Sequence, residues 1–160
     1  MKVIELDHGE MTVVYTLAAM RNAINRSAGT KDKKIGTNHH DLRVDQIGLM
    51  AEIAWAKWRN TYPDLTIVPR KGSHDGVFNG KTVDIKASEY DGARLLAAPW
   101  KKDDPADAYV LATISNNEVT FVGYAKSSEL FDEKNLINLG HGKGYALNQC
   151  DLQEFNDDRA

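Results

Sequence analysis

Apolar and polar positions along the chain alternate between two periods. Over residues 11–27, Val14, Leu17, Ala18, Ile24 and Ala28 broadly follow the 3.6-residue repeat, which predicts an amphipathic helix. A polar stretch from Ser27 to Asp41 then reads as a loop carrying Lys31, Lys33, Lys34 and the pair His39-His40. The helical period returns at Ile47, Met50, Ala51, Ala54 and Trp58, predicting a helix over about 42–60 with Asp41 as its N-cap and Pro63 as its stop. Trp55 and Trp58, three residues apart on that helix, are expected in the core or in helix–helix packing. The period then shortens to two. Leu65–Val68 reads as a short β-branched strand, and Asn79-Gly80 between two alternating runs predicts a two-residue hairpin, because a type I′ turn needs positive φ at both central positions. Asn116-Asn117 predicts a second hairpin joining Tyr109–Ser115 to Glu118–Ala125. Ser127 is expected to cap a short helix reaching Phe131, and Gly144–Leu147 is a candidate strand before an acidic tail. The expected architecture is a single α/β (α+β) domain over 1–160, with a mixed sheet flanked by helices. Residues 1–42 would form an N-terminal helix and basic loop, 43–130 the core, and 131–160 the C-terminal strand and tail.

The first hairpin also sets a register. With Asn79-Gly80 at the turn, Phe78 pairs with Lys81, Val77 with Thr82, Gly76 with Val83 and Asp75 with Asp84. Opposed side chains share a face about 5 Å apart, where two carboxylates repel unless a cation lies between them. Along Thr82-Val83-Asp84-Ile85-Lys86-Ala87, the apolar Val83, Ile85 and Ala87 face one way and Asp84 and Lys86 the other. An acid and a lysine two residues apart on one strand face aim at one point, the acid suited to a metal and the ammonium to a water or phosphate. A third acid, Glu52, lies off the main apolar stripe of the second helix and leans over Gly48, where a glycine is otherwise costly by about 1 kcal/mol.

A helical Glu52, then Asp75, then Asp84-Ile85-Lys86 after a hairpin resembles the PD-(D/E)XK nuclease superfamily, most nearly its small phage-type or restriction-like members. Ala106–Leu111, opening the next strand, and the hairpin running into Gly123-Tyr124-Ala125 extend the likeness over roughly residues 43–130. The chain departs from the family pattern in having His74, not proline, before Asp75. The resemblance implies a restriction-endonuclease-like fold and Mg²⁺-dependent hydrolysis of phosphodiester bonds in DNA, with Mn²⁺ able to substitute. Asp75, Asp84 and the main-chain carbonyl of Ile85 would bind the metal, Glu52 would join directly or through water, and Lys86 would position the attacking water. A non-catalytic nucleic-acid- or protein-binding module on the same fold is the alternative.

Composition and charge adjust this reading. The chain of 160 residues is 42% apolar and 27% charged, an ordinary globular balance. Its apolar runs fall short of the ~20 residues of a membrane span, its N-terminus is too acidic for a secretory leader, and its single cysteine, Cys150, has no disulfide partner. A cytoplasmic setting is expected (the host's, if the protein is viral), with Cys150 packed as a small hydrophobe. The formal charge is −3, yet four of the 23 acids and one of the 20 bases lie in residues 150–160, leaving 19 of each in 1–149. Setting aside Glu52, Asp75 and Asp84, which a bound cation would offset, the body carries a net +3. Lys31, Lys33, Lys34, Arg70, Lys71, Lys101, Lys102 and Lys143 are the candidate DNA contacts, and Trp100 a surface on which a base can stack. His39-His40 and Ser127-Ser128 are read as solvated and capping groups, and a homodimer is the expected assembly for cutting two strands.

Overall fold

A computed structural model of the protein describes residues 1–28, 41–67 and 74–156. Among these residues the chain forms strands β1 (Lys2–Glu5), β2 (Gly76–Phe78), β3 (Lys81–Ser88), β4 (Leu95–Ala97), β5 (Ala108–Ser115), β6 (Glu118–Lys126), β7 (Leu136–Asn138) and β8 (Lys143–Leu147). Helices α1 (His8–Ser27), α2 (Asp41–Arg59) and the short α3 (Ser127–Leu130) complete it, with 3-10 turns at Pro99–Lys102, Glu133–Asn135 and Gln149–Asp151. The main sheet is mixed, in the order β1-β6-β5-β3-β2, with β3 and β5 parallel and the other pairs antiparallel. A smaller antiparallel sheet has the order β4-β8-β7.

Both hairpins form as the sequence predicts. Asn79 and Gly80 sit at φ of 50° and 76°, and Gly76↔Val83, Val77↔Thr82 and Phe78↔Lys81 pair in the expected register. Asn116 takes φ of 54° in the second turn. The N-terminal strand β1 was not evident from so short a run, although its residues alternate between half-buried and exposed once paired with β6.

Helix α1 begins three residues earlier than its apolar period. A capping box sets the start: Asp7 Oδ1 accepts from the Glu10 N–H at 2.8 Å, and Glu10 Oε2 accepts from the Asp7 N–H at 2.7 Å. Helix α2 ends before Pro63. Asn60 adopts φ of 52°, its N–H reaching Lys57 O and the Thr61 N–H reaching Ala56 O, which closes the helix in a Schellman arrangement. Leu65–Ile67 are irregular and not a strand, because Asp64 Oδ1 holds the Thr66 N–H and hydroxyl in a local turn; Val68 lies outside the described residues. Lys126, and not Ser127, stands at the N-cap of α3, its N–H held by Glu129 Oε2 at 2.8 Å. Cys150 is exposed, because the Gln149–Asp151 turn directs it away from both cores.

Two cores lie on opposite faces of the main sheet. Helix α2 packs across β1, β2, β3, β5 and β6, and α1 packs on α2. Leu49, Ile53 and Trp55 are therefore buried along with the stripe at Ile47, Met50, Ala51 and Ala54, and meet Val83, Ile85, Val110 and Phe121. On the other face Tyr109, Leu111 and Ala125 are covered by Leu95, Tyr145 and Leu147 of the small sheet and by Leu130 and Phe131. Strand β5 faces a core on each side, so its apolar residues run almost without a break.

Gly48 stands in α2 with nothing within 4 Å of where a Cβ would lie. Close packing therefore does not require the glycine. Gly48→Ala is expected to raise stability by about 1 kcal/mol, measured as a higher urea midpoint with unchanged slope. A lower midpoint would show that the open space is occupied in solution.

Candidate active site

Strand β3 crosses between the two cores and carries the site on its second face. Alternation sends Val83 and Ile85 toward α2 and Asp84 toward Tyr109, its partner on β5. The Asp84 side chain is only 2% exposed. A carboxylate so far from water needs charged or hydrogen-bonding partners, and it has two. The Lys86 ammonium forms an ion pair with Oδ1, and Lys101 Nζ donates to Oδ2 at 2.7 Å. Lys86 comes from the same strand, two residues on. Lys101 arrives from a different layer, on the Pro99–Lys102 turn that follows β4.

Asp75 does not sit directly opposite Asp84 as the register arithmetic predicted. The Asp75 N–H donates to Val83 O at 2.8 Å, although Val83 already faces Gly76, so the chain leaves the ladder one residue early. Asp75 Oδ2 then accepts from the Ile85 N–H at 2.8 Å. The N–H and C=O of alternate residues point to the same strand edge, so the Ile85 carbonyl faces the edge that Asp75 flanks. The two acids approach through the backbone of residues 83–85 and not as a directly opposed pair.

Glu52 has a different environment. Its Oε2 lies 3.5 Å from Arg21 Nη1, with the Glu52 side chain 13% exposed. Arg21 also donates to the carbonyls of Asp64 and Thr66, at 2.6 and 3.0 Å. This arginine ties α1, α2 and the segment after α2 together, and the local sequence around Glu52 gives no sign of it. Among the described residues no three His, Cys, Asp or Glu side chains form a group able to hold a metal ion.

The donor chemistry nevertheless suits a hard divalent cation at β3. Two carboxylates and one carbonyl, all oxygen donors, belong to residues 75, 84 and 85 around the start of β3, and the buried Asp84 carboxylate already holds positive charge. The ammonium groups on Asp84 occupy the role that such an ion would take.

Tyr109 lies fully buried beside this carboxylate, its hydroxyl accepting from the Ala106 N–H at 3.3 Å. Burial, reinforced by the charge of Asp84, pushes its phenol up to about 12. The unfolded chain would release this proton near pH 10, so the contribution of neutral Tyr109 to stability is complete below pH 10 and is lost as pH rises toward 12. Tyr109→Phe is expected to flatten the fall in stability across that window; an unchanged alkaline limb in urea melts at successive pH values would contradict this.

The basic candidates separate in the fold. Lys31, Lys33, Lys34, Arg70 and Lys71 lie outside the described residues, as do His39 and His40. Lys101 belongs to the site itself. Lys102 turns away to Glu133 Oε1 at 2.6 Å and the Tyr145 hydroxyl at 3.3 Å. Lys143 is exposed at the start of β8, and Trp100 is 49% exposed beside Lys101. Among the described residues no helix is long and apolar enough to cross a membrane. Comparison of the chain with protein-family models, curated proteins and solved structures finds no match.

Proposed function

We propose that the protein is a metal-dependent nuclease that hydrolyses phosphodiester bonds in DNA, acting as an endonuclease. The observation that carries this reading is the Asp84 carboxylate, buried between the two cores yet paired with Lys86 from its own strand face. A structural ion pair gains little from such burial, because desolvating both charges offsets most of their attraction. A site that must hold charge near a reacting phosphate does gain from it.

In this reading Asp75, Asp84 and the Ile85 carbonyl would hold Mg²⁺, for which Mn²⁺ could substitute, while Glu52, expected from the sequence to join them, is instead held by Arg21. Mg²⁺ bound there supplies a water of lowered pKa and positive charge for the phosphate. Lys86, 34% exposed at its side chain, reaches the solvent side of the site and orients the attacking water. The Ile85 N–H donates to the Asp75 carboxylate, fixing where that acid points. Neutral Tyr109 and the apolar residues around it keep bulk water off the rear of Asp84. Exposed Trp100 offers a ring on which a base can stack, and two copies of the chain would cut both strands.

A second reading is favoured by one observation, that both oxygens of Asp84 already have ammonium partners. On that reading the fold is a non-catalytic binding module. Incubating the protein with supercoiled, linear and single-stranded DNA in Mg²⁺ or Mn²⁺ separates the two. Cleavage that stops on chelation supports the nuclease, whereas binding without cleavage of any substrate sinks it.

A further inference from the structure

We infer that Lys101 is the resident counter-ion of Asp84 and surrenders Oδ2 when the site takes a divalent cation. The inference rests on the metal-site reading above. Lys86 follows Asp84 by two residues on one strand, so any chain with that spacing places an ammonium near the acid. Lys101 is 17 residues away in sequence and is delivered by tertiary structure: Pro99 starts a 3-10 turn, and the Lys101 N–H closes onto Ala98 O at 3.0 Å. The turn directs a side chain that is 16% exposed onto one oxygen of a carboxylate that is almost fully enclosed.

A second ammonium there has a physical purpose. Asp84 is buried before any metal arrives, and a carboxylate enclosed between two apolar cores is costly unless a cation offsets it. Once a divalent cation shares Asp84, an ammonium on Oδ2 is a like charge at contact distance, and the two compete. Lys101 has somewhere to go. Its Nζ already lies 5.4 Å from the ring of Trp100, at the rim of the site, where the face of an exposed indole can receive a cation. From that seat it faces solvent and any bound phosphate. Lys101 is thus a positioning residue that acts through Asp84.

The test uses the full chain and Mn²⁺ alone, without DNA. Lys101→Met is expected to lower the metal-free melting temperature by about 2–8 °C, as loss of one partner of a buried pair requires. The same variant should bind Mn²⁺ about tenfold more tightly by titration calorimetry, because its competitor is gone. Lys101→Arg, which keeps the charge and grips a carboxylate through two donors, should bind Mn²⁺ more weakly than the parent and keeps the test decisive if Lys101→Met fails to fold. If the parent binds Mn²⁺ and the variants bind it equally well, the role of Lys101 is overturned while the metal site stands. If neither parent nor variants bind Mn²⁺, the metal-site reading falls and the exchange at Oδ2 falls with it.

Discussion

Asp84→Asn is expected to reduce Mg²⁺-dependent cleavage of DNA by about a thousandfold, equivalent to about 4 kcal/mol of transition-state stabilisation. The substitution keeps the shape of the side chain and removes only its charge. In the proposed site that charge holds the metal, and it also keeps Lys86 and Lys101 converged at the middle of β3. Stability should fall as well, because two ammonium groups lose their shared partner. A fully buried pair broken on one side costs about 3–5 kcal/mol. Lys86 is 34% exposed and can turn to water, so a loss of about 1–3 kcal/mol is expected here. Plasmid cleavage and urea melts measure the two effects separately. A folded Asp84→Asn protein that cuts DNA like the parent would remove the basis for the nuclease reading. A Lys86→Met protein should lose comparable activity with a smaller loss of stability, since the remaining Asp84 keeps Lys101.

The largest effect on folding is expected at Trp55→Ala, a loss of about 3–5 kcal/mol, a large share of the roughly 5–15 kcal/mol of a typical domain. The indole is 2% exposed, with ring centroids 5.4 Å from Trp58, 5.4 Å from Phe121 and 6.0 Å from Phe78. The guanidinium of Arg59 lies over the same cluster, 3.5 Å from the Trp58 ring centroid and 4.0 Å from that of Phe78. Removing the indole leaves a cavity that these three rigid rings cannot readily fill. The site should feel it too. A Cβ at Gly76 would lie 3.1 Å from Trp55 Nε1, so the indole is the platform against which β2 is set. Strand β2 is three residues long and at the edge of the sheet, and it carries Asp75 to the Ile85 N–H. Hydrogen exchange at the Ile85 amide should therefore accelerate in Trp55→Ala by more than global unfolding explains. A variant within 1 kcal/mol of the parent, with Ile85 still protected, would show that the aromatic cluster is not what seats the hairpin.

How much of this was open to sequence reasoning depends on the range of the interaction. Asn79-Gly80 could be read directly, because positive φ is a local demand and few residues meet it cheaply. The register from Phe78 to Gly76 followed by counting. Counting failed one residue later, at Asp75, where a hydrogen bond to Val83 O replaced the expected pair. The end of α2 was read to within one residue, but its cause lies closer than expected. Pro63 is a conspicuous stop, but Asn60 could already reverse the chain in the left-handed region. Alternation on β3 placed Asp84 and Lys86 on one face correctly, since a strand has only two faces.

The sequence by itself determined the elements whose causes lie within a few residues: both hairpins, most of α1 and α2, and the shared face of Asp84 and Lys86. It also located the excess of acids in the final residues of the chain. Only the tertiary structure decided that β3 would lie buried between two cores, that Arg21 would take Glu52, and that Lys101 would meet Asp84. Burial depends on which layers close over a strand, and an ion pair between layers depends on distances that no local spacing encodes. Lys101 and Lys102 are neighbours of the same type on one turn. The turn sends the first to the buried Asp84 and the second to the exposed Glu133, and this difference in direction gives the two lysines their different roles.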